Sequence, residues 1–262
     1  MKIYYDLIDF KSLDSSVITI GSYDGIHRGH FHIINKVKSI ANSLETKSVV
    51  ITFNPHPRNI INKKEENIKL LMSLDRKIEL FEKLSIDILI ILNFSFDLMR
   101  MEAEDFLKKI IIKNFNPKCI ISGNSHTFGF KKSGNSDYLK KFCKLNNISL
   151  EVVKLLKDGD RFISSTNIRS LLENGFIRRA NYELGSIYGF YANVVSGAGR
   201  GKKLKYPTAN LVPVEKDQLF PKTGVYLTRC IINGLNHYGM CNFGLRPTFA
   251  ETNLVLEVHL LD

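Results

Sequence analysis

The chain has 262 residues, 44% hydrophobic and 24% charged, and its 37 Lys and Arg against 26 Asp and Glu give a net charge of +11. That length suits one large or two smaller domains, no apolar run is long enough to span a bilayer, and four scattered cysteines (Cys119, Cys143, Cys230, Cys241) without a CxxC pair argue against disulfides and zinc. The lysines alternate with acids and apolar residues, as in DFLKKIIIK, which reads as solvated surface rather than a nucleic-acid groove.

MKIYYDLIDF carries aspartates and lacks the apolar core of an export signal, so a cytoplasmic location is expected. The first strand-like run, Val17-Ile18-Thr19-Ile20, passes into GSYDGIHRGH, Gly21 to His30. An amphipathic helix follows, with Ile33, Ile34, Val37, Ile40, Ala41 and Leu44 on one face. A strand-to-helix turn presents free N–H groups and the positive end of the helix dipole, which together favour a phosphate. Glycines at 21, 25 and 29 admit close backbone approach, and the imidazoles of His27 and His30 add directed donors. His32 points elsewhere on the helix, so HxxHxH is not expected to bind a metal.

Strand patterns recur at 48–53, 86–92, 118–122 and 149–153, with a helix opening at a Ser73 cap between the second and third. Nearly continuous apolar strands alternating with helices predict a parallel sheet covered on both faces, with ligands at the strands' carboxyl ends. Three further segments reach that edge. Asn54-Pro55-His56-Pro57-Arg58 is read as a turn whose prolines forbid an immediate helix. Ser122 to Gly134 mixes glycines, aromatics and lysines. In Ile163 to Gly175, one of Ser164, Ser165 or Thr166 caps a helix and Arg169 lies one turn in, a second anion clamp.

From Gly185 the composition shifts: nine of the 17 glycines lie in the last 78 residues. Short alternating runs (ANVVS, GVYLTRCII, HYGMCNF, NLVLEVHLL) separated by turn signals predict an antiparallel barrel. The expected division is 1–185 and 186–262.

The ordered set resembles the prokaryotic bifunctional riboflavin kinase/FMN adenylyltransferase family, usually called bacterial FAD synthetase. Its GxFDGxHxGH is matched from Gly21 to His30 with Tyr23 for phenylalanine. Its TFxPHP is Thr52 to Pro57, and its SSTxIRxxLxxG is Ser164 to Gly175. The family's PTAN is Pro207 to Asn210, followed by Gly224-Val225-Tyr226, Arg246 to Phe249 and Leu256 to Asp262. The resemblance implies an α/β, Rossmann-like HxGH nucleotidyltransferase domain followed by an antiparallel β-barrel riboflavin kinase domain.

It implies riboflavin phosphorylation to FMN, and AMP transfer from ATP to FMN giving FAD and pyrophosphate. His27, His30 and Arg169 are then catalytic, and Gly21, Tyr23, Asp24, Gly25, Gly29, Ser164, Ser165, Thr166 and Gly201 hold ATP phosphates. Asn54, His56 and Pro57 face the flavin. Thr208 and Asn210 hold Mg²⁺, and Glu257 is the kinase base. The expected partners are small-molecule substrates, with no nucleic acid, no membrane, and a monomer or weak homo-oligomer.

The chain departs from the family in four further places. Ser125 stands at an Asp or Asn position, beside Asn124. Lys205-Tyr206 replaces Gly-Phe before PTAN, and Ala192 replaces a glycine. The family runs on beyond the position of Asp262, so the strand bearing Glu257 is expected to keep an unpaired edge, uncovering Val255 or Leu256 and weakening the kinase half. The alternatives are an adenylyl- or cytidylyltransferase for another phosphorylated substrate, or a flavin-nucleotide binding protein with degraded activity.

Overall fold

The computed structural model describes residues 1–61, 67–124, 126–196, 206–247 and 252–261. Ser125, Gly201 and Lys205 lie outside the described residues, as does part of the Arg246–Phe249 stretch. The first half runs β1 (Lys2–Tyr5), β2 (Ser16–Ile20), α1 (Arg28–Ser43), β3 (Lys47–Asn54), α2 (Pro57–Ile61), α3 (Leu74–Lys83) and β4 (Ile88–Asn93). Next come α4 (Phe96–Arg100), α5 (Ala103–Asp105), a π-helical stretch over Phe106–Ile112, α6 (Lys113–Phe115), β5 (Pro117–Gly123), α7 (Ser136–Leu145) and β6 (Ser149–Val153). A small hairpin, β7 (Lys157–Asp158) with β8 (Arg161–Phe162), leads to α8 (Ser165–Glu173) and α9 (Ile177–Leu184).

Six strands form one sheet in the order β1-β4-β3-β2-β5-β6, every pair parallel. Alternation along a strand sends successive side chains to opposite faces. Val49 and Ile51 therefore join Ile90, Phe106 and Phe115 on one side, while Val50 joins Ile34, Phe81 and Leu89 on the other. Both faces are buried, which is why these strands read as unbroken apolar runs. The chain leaves β2 toward β3 on one side, and β5 returns to its other side. The carboxyl end of β2 is thus the topological switch point, where a crevice opens between diverging connections.

The expected strands appear with ends shifted by a residue or two, and Ser73 caps α3 by accepting from Arg76 N. Strand β1 carried too short an apolar pattern to be anticipated. The expectation that NPHPR excludes an immediate helix is wrong: α2 begins at Pro57 itself. Proline is well suited to the first helical position, where its missing N–H leaves no bond unmade.

The second half comprises β9 (Ala192–Val195), β10 (Ala209–Pro213), β11 (Gly224–Ile232), β12 (Leu235–Pro247) and β13 (Thr252–Leu260). They form an antiparallel sheet in the order β11-β12-β13-β10-β9. The antiparallel expectation holds, and among the described residues the sheet is open rather than a closed ring. The expected unpaired edge beside Glu257 is overturned. Strand β13 is central, paired with β12 on one side and β10 on the other. Leu256 is buried with Cys241, Phe243 and Val258, so its cover is intact. Non-local pairing placed β13 in the middle, which its position in the sequence could not reveal.

Lysines of the first half pair with acids one helical turn away, Lys83 with Glu79, Lys108 with Glu104 and Lys109 with Asp105, as solvated helix faces do. No helix among the described residues is long and apolar enough to cross a membrane. Leu256→Asp should destabilise the second sheet by more than about 3 kcal/mol, because it buries a charge without a partner. Leu227→Asp, on a side chain 77% exposed, should stay within about 0.5 kcal/mol. Urea denaturation followed by circular dichroism separates the two, and equal losses would refute the assignment of faces.

Candidate active site

A cleft of about 910 Å³ lies across the carboxyl ends of the parallel strands. That is near the upper end of ordinary ligand pockets. Its walls bring together Gly21, Tyr23, Asp24, His27, Gly29 and His30 from the β2–α1 turn, His56 and Pro57 after β3, and Ser164, Ser165, Thr166 and Arg169 at the start of α8. Of the anticipated residues in this half, Asn54 is exposed and Gly25 stands behind the wall. Among the described residues, the basic side chains Arg58, Lys131, Lys132, Lys154 and Arg169 line the cleft, against the one carboxylate of Asp24.

The turn is shaped by its backbone. Gly25 has φ +89°, and a Cβ there would meet Leu71 Cδ1 at 2.7 Å, so both conformation and space select glycine. Tyr23 also has positive φ, at 47°. Its hydroxyl is held 2.6 Å from Thr19 Oγ1. Burial pushes that phenol above its usual range, so it stays neutral.

His27 is the N-cap of α1, where its Nδ1 accepts from His30 N at 3.4 Å. An acceptor at Nδ1 places the imidazole proton on Nε2, so His27 offers a donor beyond the helix end. The His30 ring stacks on it at 3.7 Å between centroids. His30 Nδ1 is buried without a hydrogen-bond partner. Burial pushes His27 down to about 4. It holds His30 well below the ordinary value too, helped by His27 and the Lys77 ammonium. Across the cleft, burial and then Lys77, Arg169 and Arg58 lower His56 to about 3. Its Nδ1 accepts from Arg58 N at 3.2 Å. These imidazoles are neutral at pH 7. His32 is exposed on α1, away from the pair.

The charge sits beneath them. Asp24, 2% exposed, accepts from Leu71 N at 3.1 and 3.2 Å through its two oxygens and pairs with Arg169 Nη2. Arg169 Nε donates to Lys69 O at 2.8 Å. Ser165 Oγ donates to Asp24 O at 2.7 Å, and Ser164 is the cap, accepting from Asn167 N. The hydroxyl-rich helix start thus mainly locks the β2–α1 turn to α8, leaving Thr166 exposed at the cleft.

Two residues escaped the sequence reading, His126 in the lining of the cleft and Lys77 behind it. Lys77 of α3 is buried and donates from Nζ to Ser22 O at 2.8 Å. Burial lowers it to about 8, opposed by Asp24. Its signal was present: a lysine at the 74, 77, 78, 81 stripe that otherwise faces the core. His126 lies 5.8 Å from the Phe128 ring, nearly parallel to it, and burial lowers it to about 4. Asn124 accepts from Ser136 Oγ through its backbone carbonyl.

In the second sheet, Asn210 of β10 lies directly opposite Glu257 of β13, which lies opposite Asn242 of β12. Residues in register share a face, so three hard-oxygen side chains form a row across the sheet, opposite the face that buries Leu256 and Val258. Asn242 was not anticipated. Thr208 is exposed, just before β10.

Residues 9–167 match the FAD synthetase family and residues 184–262 the Riboflavin kinase family. A bifunctional riboflavin kinase/FMN adenylyltransferase of Listeria monocytogenes is 31% identical over 95% of this chain and 78% of its own. One of Buchnera aphidicola from Schizaphis graminum is 33% identical over 100% and 85%. A crystal structure described as a macrolide-efflux protein from Streptococcus pneumoniae superposes with a TM-score of 0.88 at 27% identity, over 100% of this chain and 85% of that one. With one family match under each sheet and relatives aligned along nearly all of its length, the chain belongs to the bifunctional riboflavin kinase/FMN adenylyltransferase family.

Proposed function

We propose that the chain carries out two flavin-directed transfers: phosphorylation of riboflavin to FMN, and adenylyl transfer from ATP to FMN giving FAD and pyrophosphate. The observation that carries the adenylyl half is the charge pattern of the cleft: neutral, oriented imidazoles above buried Lys77 and Arg169. A polyphosphate suits such a site, because permanent cations supply attraction and neutral N–H groups supply direction without repelling one another.

The FMN phosphate attacks the α-phosphorus of ATP, forming the new P–O bond as the bond to pyrophosphate breaks. FMN already carries its nucleophile, so the protein needs only to position both nucleotides and stabilise developing charge. His27 Nε2–H and His30 serve the phosphate oxygens. Arg169, held by Asp24, and Thr166 serve the leaving pyrophosphate. Asp24 acts through Arg169, since a carboxylate repels phosphate. His56 and Pro57 border the flavin side.

In the second half, Glu257 takes the proton of the riboflavin hydroxyl that attacks the γ-phosphorus of ATP, releasing ADP. Thr208 and Asn210 would hold Mg²⁺, which prefers hard oxygen donors. When bound, that ion would neutralise phosphate charge. We place the division near residue 185 and expect a cytoplasmic monomer or weak homo-oligomer acting on small molecules.

Chromatography of products from riboflavin or FMN, each with MgATP, tests the reading. His27→Ala and His30→Ala should each lower FAD formation about 10²–10³-fold while sparing FMN formation. Glu257→Gln should do the reverse. Wild-type FAD formation in both histidine variants would refute the site.

The imidazoles also predict a pH response. Folded His27 titrates near 4 and its unfolded counterpart near 6.5, so the unfolded chain binds more protons between those values. Stability is full above pH 6.5 and falls as pH drops toward 4, by about 1 kcal/mol at pH 5.5 from His27 alone. Saturating ATP should offset the loss by raising the imidazole pKa values. Urea midpoints at pH 7.0 and 5.5 check this, and a midpoint indifferent to pH would contradict it.

A further inference from the structure

Three consecutive residues between the two halves carry bonds to both. Leu70 faces the second half: its N–H donates to Asp217 O at 2.7 Å, and its carbonyl accepts from Leu219 N at 2.8 Å and Gln218 Nε2 at 3.2 Å. Leu70 and Gln218 form a one-residue parallel bridge. The neighbours of Leu70 face the cleft instead. Lys69 O accepts from Arg169 Nε, and Leu71 N donates to the Asp24 carboxylate. Successive residues of an extended chain direct their backbone groups to opposite edges. The segment 69–71 is therefore a strap with the second half along one edge and the Asp24–Arg169 pair along the other.

The second half grips this strap through side chains as well. Gln218 is 2% exposed, and its Nε2 also reaches Tyr188 Oη at 2.8 Å. The Asp217 carboxylate accepts from Asn67 Nδ2 at 2.8 Å and lies 3.7 Å from Lys69 Nζ. Neither residue lines the cleft, so any influence on it passes through the strap.

We propose that Gln218 and Asp217 are positioning residues for adenylyl transfer: from the second half, they set the strap that holds Arg169 and Asp24. This rests on the reading of the cleft as the adenylyl-transfer site. The first half's phosphate clamp is then braced by the segment joining β10 to β11 of the other sheet.

The test uses the full chain with Gln218→Met, which keeps size and removes the donors, and Asp217→Ala. Each should lower kcat/KM for MgATP in FAD formation about three- to tenfold, mainly through KM, while riboflavin phosphorylation stays within about twofold of wild type. In an Arg169→Lys background, Gln218→Met should add little, because both changes act on the same strap, through Leu70 O and Lys69 O. Unchanged FAD formation in both variants would overturn the proposal. So would an equal fall in both activities, or fully additive losses with Arg169→Lys. A wild-type chain that makes FMN but no FAD would overturn the underlying assignment, and the proposal with it.

Discussion

The Asp24 carboxylate, buried at the switch point of the parallel sheet, holds together segments that are far apart in sequence. Its partner Arg169 lies 145 residues away, and its other donor is the Leu71 backbone N–H. A buried carboxylate without such partners would be too costly to keep charged. The ion pair therefore constrains three things at once: the β2–α1 turn, the pitch of α8, and the strap before α3. Removing either charge would leave the other buried and uncompensated, a more damaging change than losing a surface pair. Gly25 belongs to the same constraint, since Leu71 approaches so closely that a methyl group has no room.

Above that pair the cleft separates direction from charge. Protonated imidazoles packed as closely as His27 and His30 would repel each other and Lys77, and burial disfavours them further. The rings remain neutral, and the helix itself fixes the orientation of one of them by using His27 Nδ1 as its cap. Positive charge is assigned instead to Lys77 and Arg169, each held by a carbonyl or carboxylate. A site of this kind is pre-organised without a ligand and becomes more basic once an anion enters. Ligand binding and proton uptake are thereby linked.

The second sheet reaches a comparable separation by strand alternation. One face buries Leu256, Val258, Cys241 and Phe243. The other aligns Asn210, Glu257 and Asn242 across three neighbouring strands. In its proposed role as a base Glu257 would need a fixed backbone, and a central strand supplies one, with ladder bonds on both sides. This removes the physical ground for expecting a frayed base, which rested on β13 being an edge.

What could be read from the sequence was what local chemistry encodes. Alternating apolar strands, the Ser73 cap and the hydroxyl-rich start of α8 each leave a signature within a few residues. GSYDGIHRGH likewise announces the strand-to-helix turn that lines the cleft, by glycines and histidines at fixed spacing. Pairing order leaves no such signature, because the neighbours of β13 are chosen by contacts across the sheet rather than by its own residues. The sequence also brought Arg169 to the edge of the cleft without revealing that Asp24 would occupy part of its donor set, since that ion pair exists only once α8 packs on the β2–α1 turn. Lys77 was hidden as a charge on an apolar stripe, where a lysine looks like an imperfection until its carbonyl partner is seen. The strap at Leu70 was the least legible of all. It acts through backbone N–H and C=O groups, which every residue possesses, so only the fold can assign them a task.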